Sequence, residues 1–191
     1  MARIKPAFNA ADDSGSLDQP TRIQLGIGAI VAHRPEMAQR MGELSEAINR
    51  SGTLSRRLTE LIRLRIAFHN QCRSCMAVRY ADAVRDGVDE DLVCSLEQPE
   101  EAEDLSPAER AALRFADLFA TNHLAIDDAV YDDLRQYFTE GELVEIGINC
   151  AIDVGVGRLA ATWAVTDDLP VKFRDGTARV TPWGGESVLV P

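Results

Sequence analysis

Lysine is almost missing from this sequence. Only Lys5 and Lys172 interrupt a basic complement that is otherwise arginine, and acids outnumber bases 31 to 20, a formal charge of −11 over 191 residues. Nucleic acid and anionic membranes both need contiguous basic surface, so neither is expected as a partner. Aromatic residues make up 6% of the chain, too few for a base-stacking platform. The longest apolar stretch, Ile27–Ala32, falls far short of the roughly 20 residues that span a bilayer. Met1–Asp18 carries acids and no apolar core, which argues against a secretory leader. Cysteine is scarce as well, with four residues. A chain of this length buries roughly 70% of its unfolded surface and needs no staples to hold a core. A reducing, cytoplasmic setting is therefore expected, where a close cysteine pair serves redox chemistry or metal binding rather than structure.

Helical punctuation fills most of what remains. Residues 1–20, with Asp12, Asp13, Ser14, Gly15 and Ser16, are expected to form a mobile arm. Residues 21–166 are expected to form an all-α domain, and residues 167–191 an extended tail rich in Pro and Gly. Pro35 opens a helix to about Arg50, with Met37, Met41, Leu44 and Ile48 at helical spacing. Ser55 caps the next helix, which runs to about His69. A third is expected over Cys72–Asp86, stopped by Gly87, and Asp89 caps a short fourth. After an acidic linker, Ser106-Pro107-Ala108-Glu109 and Thr139-Glu140-Gly141-Glu142 are capping boxes for helices to about Thr121 and Val165, with another helix over Asp127–Phe138. The last long helix is apolar on more than one face, so it should be buried on several sides, within the domain or between subunits. Gly147, Gly155 and Gly157 would admit a close backbone, and Asp153 and Arg158 inside this helix imply a paired contact. Val188–Val190 can pair as a strand or drape over a neighbour.

The sharpest chemical signal is Cys72-Arg73-Ser74-Cys75. Two residues three apart on a helix lie about 5 Å apart at Cα, inside the range a disulfide bridges. A helix N-terminus and the fixed charges of Arg73 and Arg79 would favour thiolate over thiol. Two buried packing residues would show the same spacing. Zinc is a weaker alternative, because Cys94, Cys150 and the three His are scattered and a structural site takes four ligands. No metal and no organic cofactor are expected. Cys94 and Cys150 read as small core residues.

Glu60-Leu-Ile-Arg-Leu-Arg-Ile-Ala-Phe-His-Asn-Gln-Cys72-Arg-Ser-Cys75 resembles the core of the carboxymuconolactone decarboxylase superfamily. It is most similar to the alkylhydroperoxidase D-like branch, in which a Glu lies twelve residues before a C-x-x-C pair. Leu105–Leu113 and Phe138–Ile146 resemble the helices that follow. The resemblance implies an all-helical bundle that assembles into dimers, trimers or hexamers. It also implies a site in which Cys75 is oxidised by a hydroperoxide to a sulfenic acid, Cys72 resolves it as a disulfide and Glu60 feeds protons. The family usually places a His four residues after the second Cys, where this chain has Arg79. Arginine cannot serve as a general base, although it can hold a thiolate or an oxyanion. His69, at the end of the preceding helix, is an alternative proton carrier. Glu60 has a second role open to it, as a salt-bridge partner of Arg56 or Arg63.

Three functions follow from these residues. The first is a thiol-dependent peroxidase or disulfide reductase that takes a small peroxide or disulfide and is restored by an external dithiol. The second is a decarboxylase or isomerase whose arginines bind a carboxylated lactone-like metabolite. The third is an oligomeric redox sensor without catalysis. Six arginines between Arg56 and Arg79, against the single acid Glu60, suggest a locally basic setting for the cysteines.

Overall fold

In the computed structural model, which describes residues 2–8, 17–174 and 178–191, six of the helices begin where a side chain satisfies one of the first free N–H groups. Helix α1 (Gln19–Val31) is capped by Asp18, whose carboxylate accepts from the Thr21 amide at 2.9 Å. It starts within the segment expected as an arm, of which residues 12–16 lie outside the described residues. Helix α2 (Pro35–Ser51) begins on its proline. Ser55 caps α3 (Arg56–Asn70), which ends where Gln71 turns left-handed at φ 51°. A short α4 (Arg73–Ala77), a strand β1 (Val78–Tyr80), α5 (Ala81–Arg85) and the Asp89-capped α6 (Glu90–Ser95) follow. Helices α7 (Pro107–Thr121) and α9 (Glu140–Trp163) both open with complete capping boxes, and α8 (Asp128–Leu134) lies between them. In the second box the Thr139 hydroxyl accepts from the Glu142 amide at 3.3 Å while the Glu142 carboxylate accepts from the Thr139 amide at 2.8 Å. The chain finishes with α10 (Val171–Arg174) and a strand β2 (Val188–Val190).

Helix α3 is the axis of the fold. Its Leu58, Ile62 and Ile66 pack against Ala112, Phe115 and Ala116 of α7 and against Ile146 and Cys150 of α9. Leu61 and Leu64 turn to a second cluster with Val88, Leu92, Val93 and Leu96. Ala67 enters a third cluster, with Ile23, Met76, Phe173, Val188 and Val190, beneath the cysteine segment. Leu61, Ile62, Leu64 and Ile66 are fully buried. Each is worth roughly 1.5–3 kcal/mol on burial, so this helix is held from all sides. Residues around it inherit fixed positions.

Three expectations change. The helix expected over Cys72–Asp86 is broken at β1, which pairs in parallel with β2 in the register Val78↔Val188, Arg79↔Leu189 and Tyr80↔Val190. The β-branched and aromatic residues of β1 find a distant partner that local periodicity cannot reveal. The tail, expected to be extended, opens with the short helix α10, while Val188–Val190 takes the strand pairing that its alternation allowed. It packs back over residues 71–80, with Trp183 against Phe68 at 4.9 Å between ring centroids. Finally, α2 has no buried residue, and α9 buries only one face: Val144 is 63% exposed, with Ile148 and Leu159 also exposed. Among the described residues no helix is long and apolar enough to cross a membrane.

Candidate active site

Cys72 caps α4 in extended conformation and Cys75 sits on its first turn, so the two sulfurs converge. They form a disulfide, with Cα atoms 5.2 Å apart. Their surroundings differ. Cys72 is fully buried, whereas Cys75 is half-buried and lines a cavity of about 360 Å³. The turn before the pair is clamped by the tail: Gln71 donates through Nε2 to the Val180 carbonyl at 3.1 Å and accepts from the Val180 amide at 2.9 Å. Arg73 donates to the Ala178 carbonyl at 2.9 Å.

Apolar side chains from several parts of the chain wall the cavity, including Ile23 and Ile27 of α1, Ile152 and Val156 of α9, and Val190 of β2. Its polar lining is small: Gln24, Arg63, Ser74, Tyr80 and Asp153 beside Cys75. Arg63, Tyr80 and Asp153 also line a second cavity of about 310 Å³, which holds Glu60. An apolar chamber with a few convergent polar groups is the usual form of a small-molecule site.

Arg63 organises this region. Its Nε and one terminal nitrogen donate to the two Glu60 oxygens, each at 2.6 Å, in a bidentate pair. The remaining donors reach the Cys75 carbonyl at 2.6 Å and the Val78 carbonyl at 3.1 Å. The guanidinium also stacks on the Tyr80 ring, 5.0 Å from its centroid. Burial opposes the Arg63 charge, but Glu60 outweighs it and holds the pKa above the ordinary value. Glu60, itself 2% exposed, therefore connects to Cys75 through a cation that does not release its proton at working pH.

Arg79 lies behind the cysteine segment, donating to the Met76 and Val78 carbonyls at 2.9 and 3.0 Å. It lines neither cavity, because β1 turns it toward α6, where it pairs with Glu90 at 3.0 Å and donates to the Pro182 carbonyl at 2.6 Å. It anchors the tail. His69 is likewise occupied, with its ring nitrogen 2.7 Å from Asp117, which also receives Arg65. Burial opposes the Asp117 charge, but His69 and Arg65 outweigh it and keep that carboxyl below the usual range. The basic setting read from sequence is balanced in space: Arg56 pairs with Asp82, Arg57 with Glu109, Arg63 with Glu60 and Arg65 with Asp117. Arginines engaged in this way are poorly placed to bind substrate carboxylates. Of the remaining cysteines, Cys150 is in the core and burial pushes its thiol up, while Cys94 is exposed on α6 rather than buried as its sequence context suggested.

Asp153 is the group whose importance sequence only hinted at, as an acid inside an apolar helix. Its carboxyl is pushed up to about 7 by burial, with Arg63 opposing and Glu60 reinforcing the shift. The folded pKa lies above the ordinary 3.8, so the folded state holds this proton more tightly. The resulting stabilisation is complete below about pH 4 and is lost as pH rises through about 7. Asp153→Asn cannot ionise and should melt above the parent at pH 8, with the two converging near pH 4 in a pH series of thermal melts. A gap that does not change with pH would refute the assignment. The signal for Arg63 was its i, i+3 spacing from Glu60. Nothing local announced Ile23, Ile27 or Val190.

Residues 35–118 match the carboxymuconolactone decarboxylase family. An uncharacterized protein of Mycobacterium tuberculosis strain H37Rv is 35% identical over 102 residues, 52% of this chain and 35% of that protein, so the chain spans about a third of that relative's length. The fold is similar to the alkylhydroperoxidase AhpD core structure of a peroxidase-related protein from Ralstonia eutropha, with TM-score 0.69 and 21% identity over 89% of this chain and 93% of that one. It is also similar to the debrominase Bmp8, solved as a cysteine-to-alanine variant in complex with 2,3,4-tribromopyrrole, with TM-score 0.65 and 22% identity over 85% of this chain and 90% of that one. At these identities the two structures establish the shared fold. Among the described residues no group of three or more His, Cys, Asp or Glu is placed to hold a metal ion.

Proposed function

We propose that the chain, whose residues 35–118 match the carboxymuconolactone decarboxylase family and whose helical fold is similar to an alkylhydroperoxidase AhpD core, belongs to that family and is a thiol-dependent peroxidase, or disulfide reductase, acting through Cys75 and Cys72. The observation that carries this is the asymmetry of the pair. Cys75 lines a chamber large enough for a small organic molecule, and Cys72 is sealed behind it within bonding distance. A substrate entering the chamber meets one sulfur only, and the second is held where it can resolve the product. An external dithiol closes the cycle by thiol–disulfide exchange. That cycle suits a reducing compartment such as the cytoplasm.

The test is stoichiometric. Fully reduced protein mixed with one equivalent of cumene hydroperoxide should yield one equivalent of the alcohol and the Cys72–Cys75 disulfide. Absence of alcohol on this timescale, with the thiols intact, would exclude peroxidase activity. Oxidation without turnover when dithiol is supplied would leave a redox sensor.

We also propose a homo-oligomer of two, three or six subunits. The uncovered apolar faces of α2 (Met37, Met41, Leu44) and α9 (Val144, Ile148, Leu159) supply the contact area. Ile148→Asp should convert the assembly to monomers in light scattering coupled to size exclusion. Retention of the parent mass would place the interface elsewhere.

A further inference from the structure

Peroxide reduction by a thiol needs a proton acceptor for the sulfur and a proton donor for the departing oxygen. The groups named for that work by sequence are committed elsewhere. Arg79 is bound to Glu90, His69 to Asp117, and both Glu60 oxygens to Arg63. Asp153 lines both cavities, and among the described residues its carboxylate has no hydrogen-bond or ion-pair partner.

Its place is fixed by the backbone beneath it. Asn70, at the end of α3, donates through Nδ2 to the Asp153 carbonyl at 2.8 Å and accepts from Arg158 Nε at 3.1 Å. Gly157, one turn on, makes room for that clamp, since a Cβ there would stand 2.5 Å from Asn70 Nδ2. The helix is thus locked at the point where it presents Asp153 to the chamber. The groups around the carboxyl are Arg63 and Glu60 from α3, Tyr80 from β1, Cys75 from α4 and Cys150 on its own helix, with Arg56 and Asp82 across the second cavity. Arg63 stays cationic.

We propose that Asp153 is the catalytic proton carrier for Cys75. As the Cys75 sulfur attacks the terminal oxygen of an organic hydroperoxide, its proton passes to the Asp153 carboxylate and the O–O bond breaks. The terminal hydroxyl stays on sulfur as a sulfenic acid. The departing alkoxide takes the proton from Asp153 and leaves as the alcohol, so Cys75–SH and ROOH become Cys75–SOH and ROH. The Cys72 thiol then displaces that hydroxyl as water, forming the S–S bond, and an external dithiol returns two electrons and two protons. The role rests on the peroxidase function proposed above, but the proton link between Asp153 and Cys75 can be measured without peroxide. The elevated Asp153 pKa, near 7, suits a group that must both take and give a proton near neutrality.

The experiment follows alkylation of Cys75 by iodoacetamide in the reduced full chain from pH 5 to 9, quantified by mass spectrometry on the Cys75 peptide. In parallel it follows the rate of cumene hydroperoxide reduction. The parent should show an inflection near pH 7 in both profiles. Asp153→Asn should lose it and reduce cumene hydroperoxide roughly 10²-fold more slowly, and Asp153→Glu should restore the inflection at a displaced pH. An inflection that persists unchanged in Asp153→Asn overturns the proposal. If Asp153→Asn does not fold, Asp153→Glu decides: an inflection fixed at the parent's pH overturns it. An alkylation inflection that depends on Asp153, in a protein that ignores hydroperoxides, would uphold the proton link and discard the peroxidase.

Discussion

Cys75→Ser is expected to abolish hydroperoxide-dependent turnover, by at least about 10³-fold, while Cys72→Ser is expected to complete one reaction and stop. The difference follows from where the two sulfurs sit. Only Cys75 meets the chamber, so removing it removes the nucleophile, and losses of this size accompany such changes. Removing Cys72 leaves the first chemical step intact but strands Cys75 as a sulfenic acid, which a dimedone adduct at Cys75 would capture. In the parent the same probe should capture little, because Cys72 is within bonding distance of the oxidised sulfur. A stopped-flow burst of one equivalent in Cys72→Ser, none in Cys75→Ser and continuous turnover in the parent is the expected pattern. Equal bursts from both variants would contradict the assignment of roles.

Loss of Glu60 should cost the fold more than a surface carboxylate would. Arg63 is largely buried and both of its strongest bonds go to Glu60. Breaking a buried pair by removing one partner costs about 3–5 kcal/mol, because the remaining charge is left without compensation. In a chain of this size that corresponds to a fall of roughly 10 °C in melting temperature for Glu60→Ala. Removing both charges, with Glu60→Ala and Arg63→Met together, should recover much of the loss, since the cost lies in the orphaned cation. Thermal and urea melts of the two single variants and the double variant measure this coupling directly. Strict additivity would mean that Glu60 and Arg63 act independently, and that Glu60 has some other role. The same pair supports the cysteines, because Arg63 carries the Cys75 and Val78 carbonyls.

Much of the scaffold was legible in the sequence because it is written in short-range chemistry. Ser55, Asp89, Ser106 and Thr139 each cap a helix as expected, since a cap and its N–H partners lie within three residues. The cysteine pair was legible for the same reason. The failures are all long-range. Residues 78–80 read as helix until a strand 110 residues later is brought alongside. Arg79 was counted as a neighbour of Cys75 by helical spacing, and the strand turns it to Glu90 instead. Met37, Met41 and Leu44 have the period of a core-facing stripe yet remain exposed, since periodicity reports an apolar face and not what covers it. The run of arginines looked basic because their partners Asp82, Glu109 and Asp117 lie up to 52 residues away in sequence.

The chamber that faces Cys75 takes part of its wall from α3, α4 and β1, within residues 35–118, and the rest from α1, α9 and β2, which lie outside them. The two halves of the vessel are thus drawn from different stretches of the chain. The central segment carries the sulfurs, Glu60 and Arg63, while Ile23, Ile27, Ile152 and Val190 add apolar wall and Asp153 a carboxyl from outside it. A protein alike only in that centre would share the sulfurs without sharing these walls. Exchanging Ile23, Ile27, Ile152 or Val190 would reshape the cavity and leave the Cys72–Cys75 pair in place.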